Sequence, residues 1–159
     1  MKSFCTFIVL SIVSALAGSA TAQEVLWQFK PPLGLVDSSP AVADMDGDGI
    51  DEFIMTTTAG STLVVDHNGR QIWMQGIQIP ISTPPTVANL VEDDTPEVLV
   101  VNQTGTIFCL AGKTGDPIWK FNLPGKIAWG MTALSVYDLD GDGDMEIIAT
   151  DDQSNAICL

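Results

Sequence analysis

Asp44, Asp46 and Asp48 alternate along the stretch DMDGDGIDE, which ends at Glu52 and packs five carboxylates and two glycines into nine residues. A close copy, DLDGDGDME, runs over residues 138–146. Unit charges about 4 Å apart near a protein surface interact by several kcal/mol, so such a stretch repels itself. A hard cation that takes roughly 6–8 oxygen ligands turns that repulsion into coordination. Gly47 and Gly49 permit the backbone dihedrals that bring three carboxylates to one centre. The Ile50 carbonyl can face the same centre, and Glu52 arrives from the far side as a strand begins. The chemistry implied is Ca2+ binding that pins a turn.

An EF-hand shares the first, third and fifth positions but needs a glutamate at the twelfth and helices on both sides. The twelfth position is Met55 in one stretch and Ala149 in the other, and the flanks AVAD and EFIM read as strand. The acidic stretches therefore join strands, and the elements that position them come from a repeat.

Three segments align without gaps: SSPAVADMDGDGIDEFIM from Ser38, TPPTVANLVEDDTPEVLV from Thr83 and MTALSVYDLDGDGDMEII from Met131. Asp44, Asn89 and Asp138 share one column, and Glu52, Glu97 and Glu146 another. Trp27, Trp73 and Trp119 lie 46 residues apart and mark VLWQF, QIWMQ and PIWKF. A period of this length fits one four-stranded propeller blade or a two-helix repeat. Short runs of Val, Ile, Thr and Phe between Gly, Asp, Asn and Pro decide for strands. The expectation is an all-β chain of four-stranded antiparallel β-propeller blades, with two and a half to three repeats present.

Residues 24–37 read as an orphan outer strand (24–30) and linker. The first repeat covers 38–82, the second 83–130, and a partial third 131–159. Propellers need roughly 4–8 blades. The reading expects the remaining blades from a longer chain, the alternative being an open stack completed by another chain.

Met1 and Lys2, the apolar run 4–17 and Ala20-Thr21-Ala22 have the layout of a secretory signal peptide (1–22) cleaved before Gln23. The apolar run is short of the ~20 residues a spanning helix needs. The expected location is secreted, extracellular or periplasmic, with no membrane insertion. Beyond the leader, five basic residues face twenty acidic ones. A surface so acidic repels nucleic acid and attracts cations.

D-x-D-G-D-G-x-x-E between strands resembles the FG-GAP and VCBS repeats of integrin-type β-propellers, which bind calcium in that turn. The resemblance implies ligands Asp44, Asp46, Asp48, the Ile50 carbonyl and Glu52. In the second full stretch it implies Asp138, Asp140, Asp142, the Asp144 carbonyl and Glu146. The middle repeat departs from the pattern: Val91 replaces the third-position carboxylate and Asp94 the sixth-position glycine, so weak or absent metal is expected there. IFCLAGKTGDPIWKF resembles the outer-strand signature of PQQ-like propeller repeats, in which the Trp docks between neighbouring blades. The likeness is to the scaffold and implies no quinone.

Cys109 and Cys158 occupy equivalent places in neighbouring repeats and read as free thiols, since such positions usually lie beyond the ~7 Å Cα limit for a bridge. His67 reads as a solvated turn residue, and Trp129 as a contact for a partner or a packing residue. No nucleophile–His–acid set, His/Cys cluster or phosphate loop is visible. The function expected is a non-catalytic module that binds an unknown protein or glycan. The alternatives are the propeller part of a larger secreted enzyme (polysaccharide lyase, hydrolase or dehydrogenase) and a repeated adhesion protein.

Overall fold

The computed structural model describes residues 24–91, 93–127 and 133–159. The expected leader and Trp129 lie outside the described residues. Among the described residues, eleven strands form three antiparallel sheets. β1 (Ala41–Ala43), β2 (Glu52–Thr56), β3 (Ser61–Val65) and β4 (Gln71–Gly76) make the first, in chain order. β5 (Thr86–Ala88), β6 (Glu97–Val101), β7 (Thr106–Leu110) and β8 (Pro117–Asn122) make the second. β9 (Ser135–Tyr137), β10 (Glu146–Thr150) and β11 (Ala156–Cys158) make the third. The first strands of successive sheets adjoin, β1 with β5 and β5 with β9, so the sheets stack side by side about their inner strands. This is the all-β, propeller-type arrangement anticipated from the repeat.

Packing explains the apolar runs. All five residues of β6, EVLVV, are buried. Side chains alternate across a strand, so Val98 and Val100 enter the core shared with the first sheet, beside Ile54, Val64, Trp73 and Leu110. Leu99 and Val101 enter the core shared with the third, beside Ile107, Cys109, Ile147 and Ala149. A sheet covered on both faces needs a continuous apolar strand rather than an alternating one. Each fully buried Val or Leu contributes about 1.5–3 kcal/mol relative to exposure.

The outer strands repeat a detail. Val64 pairs with Trp73 and Val65 with Gln71 across a register shift; Cys109 pairs with Trp119 and Leu110 with Pro117 across the same shift. The shift aims each Trp at the next sheet. Trp73 packs on Gly115, where a Cβ would come within 2.5 Å of the indole, and its Nε1–H donates to the Gly112 carbonyl at 2.7 Å. Trp27 packs likewise on Gly69 and meets Phe53 edge-on at 5.3 Å between ring centroids. The Trp column is thus a docking device between neighbours.

One expected strand is absent. Residues 24–30 have no strand pairing. A strand is defined by the edge it bonds to, and of this segment Trp27 and Phe29 are half-buried while the rest is exposed.

Candidate metal centre

The two acidic turns join the first strand of a sheet to its second, β1 to β2 and β9 to β10. Each is built by the carboxylates themselves. Asp44 accepts the Gly47 N–H through Oδ1 and the Gly49 N–H through Oδ2, both at 2.8 Å. Asp46 accepts from Asp48, and Asp48 from Ile50. The third sheet repeats the scheme. Asp138 accepts from Gly141 at 2.7 Å and Gly143 at 3.1 Å, Asp140 from Asp142, and Asp142 from Asp144. Gly47, Gly49, Gly141 and Gly143 all have φ between +79° and +99°, the region that glycine enters without a Cβ penalty.

The result is two convergent oxygen sets. In the first turn, one oxygen each from Asp44, Asp46 and Asp48 lie within 4.8 Å of one another. In the third sheet the close set is Asp138, Asp140 and Glu146. Ile50 and Asp144 present their amides to Asp48 and Asp142. Hard oxygen donors at such separations fit a Ca2+-type ion.

The glutamate column does something the spacing alone did not reveal. Glu52 is 2% exposed, and its Oε2 accepts the Met45 N–H at 2.9 Å. Glu146 accepts from Leu139 at 2.6 Å, and Glu97 from Leu90 at 2.7 Å and Val91 at 3.2 Å. Each glutamate therefore clasps the backbone just after the first residue of its turn, even in the middle repeat with its broken aspartate pattern. The sequence signal was the survival of Glu97 beside Val91 and Asp94. Glu52 stands outside the closest oxygen set of its turn, with one oxygen committed to the clasp.

Electrostatics separate the two roles. The Gly49 amide, with burial opposing it and the Gly47 amide assisting, holds the Asp44 carboxyl below the usual carboxylate range. Burial pushes the Glu52 carboxyl up, and the charges of Asp46, Asp48 and Asp44 push it further. A nearby cation relieves that last contribution.

The other singled-out residues fall where expected or serve packing. His67 is exposed in its turn, its Nε2 against Asn68. Cys109 and Cys158 are free, one buried and one exposed. Burial, then the Glu97 charge, pushes the Cys109 thiol up to about 12. A groove of about 400 Å³ between the second and third sheets is lined by Leu90, Trp119, Lys120, Phe121, Met145, Ile147 and Leu159. That lining is apolar apart from one lysine and has no acid–base pair. Among the described residues, no helix is long and apolar enough to cross a membrane.

Residues 89–149 match the FG-GAP-like repeat family. No curated protein matches the chain. Among solved structures, the chain is similar to BamB from Moraxella catarrhalis, with a TM-score of 0.52 and 19% identity over 72% of this chain and 31% of that one. It is similar to the V. cholerae biofilm matrix protein Bap1, with a TM-score of 0.53 and 17% identity over 64% of this chain and 16% of that one. BBS1N, solved in complex with ARL6DN, has a TM-score of 0.55 and 14% identity over 76% of this chain and 33% of that one. The chain thus spans about a third or less of the length of each, and identities so low show the fold alone.

Proposed function

We propose that this FG-GAP-type propeller-repeat chain is a secreted, calcium-stabilised binding module that offers its loops to a protein or glycan partner. The observation that carries the reading is the duplicated turn, with one hydrogen-bond scheme and a convergent carboxylate set in each copy. Asp44, Asp46 and Asp48 would hold one ion, assisted by Glu52 and the Ile50 carbonyl. Asp138, Asp140 and Glu146 would hold the second, assisted by Asp142 and the Asp144 carbonyl. Bound Ca2+ supplies charge neutralisation and fixes the turn; it does no chemistry on a substrate. The middle turn keeps its shape through Glu97 and needs no ion.

Calorimetric titration of the chain with CaCl2 tests this. Two sites are expected, with Kd about 10⁻⁴–10⁻³ M as in other extracellular modules. A Kd of ~10⁻⁴ M would give about 2.7 kcal/mol of stabilisation per site at a hundredfold excess. Asp46→Asn and Asp140→Asn keep an acceptor for the turn amide but remove a charged ligand, and each should abolish one site. A folded sample with no binding heat and an unchanged Tm on chelation would sink the calcium reading.

A further inference from the structure

Met45 stands between Asp44 and Asp46, two members of the first carboxylate set. Asp44 and residues 46–51 of that turn are half-buried or exposed, yet Met45 is 1% exposed. Its side chain enters the core shared by the first two sheets, among Ile54, Val64 and Trp73 of the first and Val98, Val100 and Leu110 of the second. Its backbone is held separately, by the bond from its N–H to Glu52 Oε2.

The seat for this side chain is Gly112, in the turn between β7 and β8. A Cβ on Gly112 would lie 2.7 Å from Met45 Cε, so a bare backbone is what leaves the methyl group its room. The Gly112 carbonyl also accepts the Trp73 indole N–H at 2.7 Å. One residue of the second sheet is thus gripped twice from the first, by the acidic turn after β1 and by β4. The two turns also run side by side. A Cβ on Gly47 would stand 3.9 Å from Thr95 Cγ2 and 4.0 Å from the Asp94 carbonyl oxygen.

We propose that Met45 is a positioning residue for calcium: it seats the first acidic turn on the second sheet, so that ion binding in the turn and docking of the two sheets strengthen each other. The proposal rests on the calcium reading of that turn. Asp44 and Asp46 flank Met45, so drawing their carboxylates to one ion fixes the backbone that carries its side chain. Conversely, a turn already held by that side chain has less freedom to lose when the ion binds. The coupling is reciprocal: the factor by which docking raises calcium affinity is the factor by which calcium favours docking. Leu90 and Leu139 share the column of Met45, and Glu97 and Glu146 clasp their amides in the same way. Leucine is therefore the conservative exchange at this position.

Calorimetry on two backgrounds separates the sites. With Asp140→Asn only the first turn binds, and adding Met45→Ala should weaken it about five- to tenfold, the low end of coupling between linked sites. Met45→Leu should restore most of the affinity. With Asp46→Asn only the turn of the third sheet binds, and Met45→Ala should leave its Kd unchanged. A packing role alone lowers Tm without moving the Kd of the folded chain, so an unchanged Kd at the first turn overturns the proposal. Equal weakening of both turns overturns it as well. If Met45→Ala does not fold, the chain with Met45 in place gives an independent reading. The Trp73 indole N–H resonance, assigned with Trp73→Phe, should shift as calcium fills the first turn of Asp140→Asn and stay still in Asp46→Asn. Calcium heat with a motionless Trp73 signal overturns the coupling and leaves the calcium reading standing; no heat from a folded chain sinks both.

Discussion

Replacing Gly115 with alanine would drive a Cβ into the indole of Trp73, and so measures what docking between neighbouring sheets contributes. Gly115 has φ +76°, and a Cβ there would lie 2.5 Å from Trp73 Cε3 and 2.8 Å from Cδ2. Either the turn or the indole must move. Trp73 is 8% exposed and bonded to the Gly112 carbonyl, so movement breaks a buried hydrogen bond as well as packing. The left-handed backbone costs a non-glycine residue about 1–2 kcal/mol. The hydrogen bond adds about 1 kcal/mol, and disturbed aromatic packing about another 1 kcal/mol. The total, about 3–4 kcal/mol, is a large part of a typical domain stability of about 5–15 kcal/mol. Two controls isolate the docking component. Gly49 has φ +87° with nothing within 4 Å of a Cβ, so Gly49→Ala should show only the backbone cost of about 1–2 kcal/mol. Gly69 would bring a Cβ to 3.0 Å from half-buried Trp27, so Gly69→Ala should fall between. Urea unfolding in chelator, followed by tryptophan fluorescence, reads all three without a metal contribution at Gly49. Equal losses for Gly115→Ala and Gly49→Ala would refute the docking argument.

Glu97→Ala should cost about 1–3 kcal/mol, the penalty for leaving half-buried amides without the acceptor that buried Glu97 supplies, and the loss should be the same with calcium or with chelator. Glu97→Gln, which keeps an acceptor oxygen, should lose much less; equal losses in the two variants would mean that the clasp on Leu90 and Val91 is not what the side chain supplies. Of the two cysteines among the described residues, a thiol reagent at pH 8 should label only exposed Cys158 in the folded protein. Cys109, buried and with its thiol pushed up to about 12, has a thiolate fraction of about one in ten thousand at that pH, and peptide mapping that found it modified before unfolding would contradict its place in the core.

Local features were legible because they are written in neighbouring residues. The Trp spacing is visible as a repeat, and the alternation of strand and turn and the paired glycines of each acidic turn follow from backbone preferences over a few residues. The same holds for the convergence of Asp44, Asp46 and Asp48, since an alternating turn with two left-handed glycines leaves those side chains few other directions. The column of Glu52, Glu97 and Glu146 was equally visible, but not its task. A carboxylate beside three others reads as a ligand, and only the folded turn shows one of its oxygens already bonded to an amide seven residues back.

Pairing decided the rest. QIWMQ and PIWKF are strands because β3 and β7 offer them an edge; VLWQF, with the same pattern, meets no such edge among the described residues and stays unpaired. Nothing local distinguishes the three, since a strand's hydrogen bonds belong to its neighbour as much as to itself. In the same way EVLVV reads as a buried strand from its composition, while the assignment of Val98 and Val100 to one core and Leu99 and Val101 to the other depends on which sheets lie on either side. Sequence alone determined the repeat, the all-β class and the acidic turns, and the stacking of sheets determined which tryptophan meets which glycine and which glutamate clasps which amide.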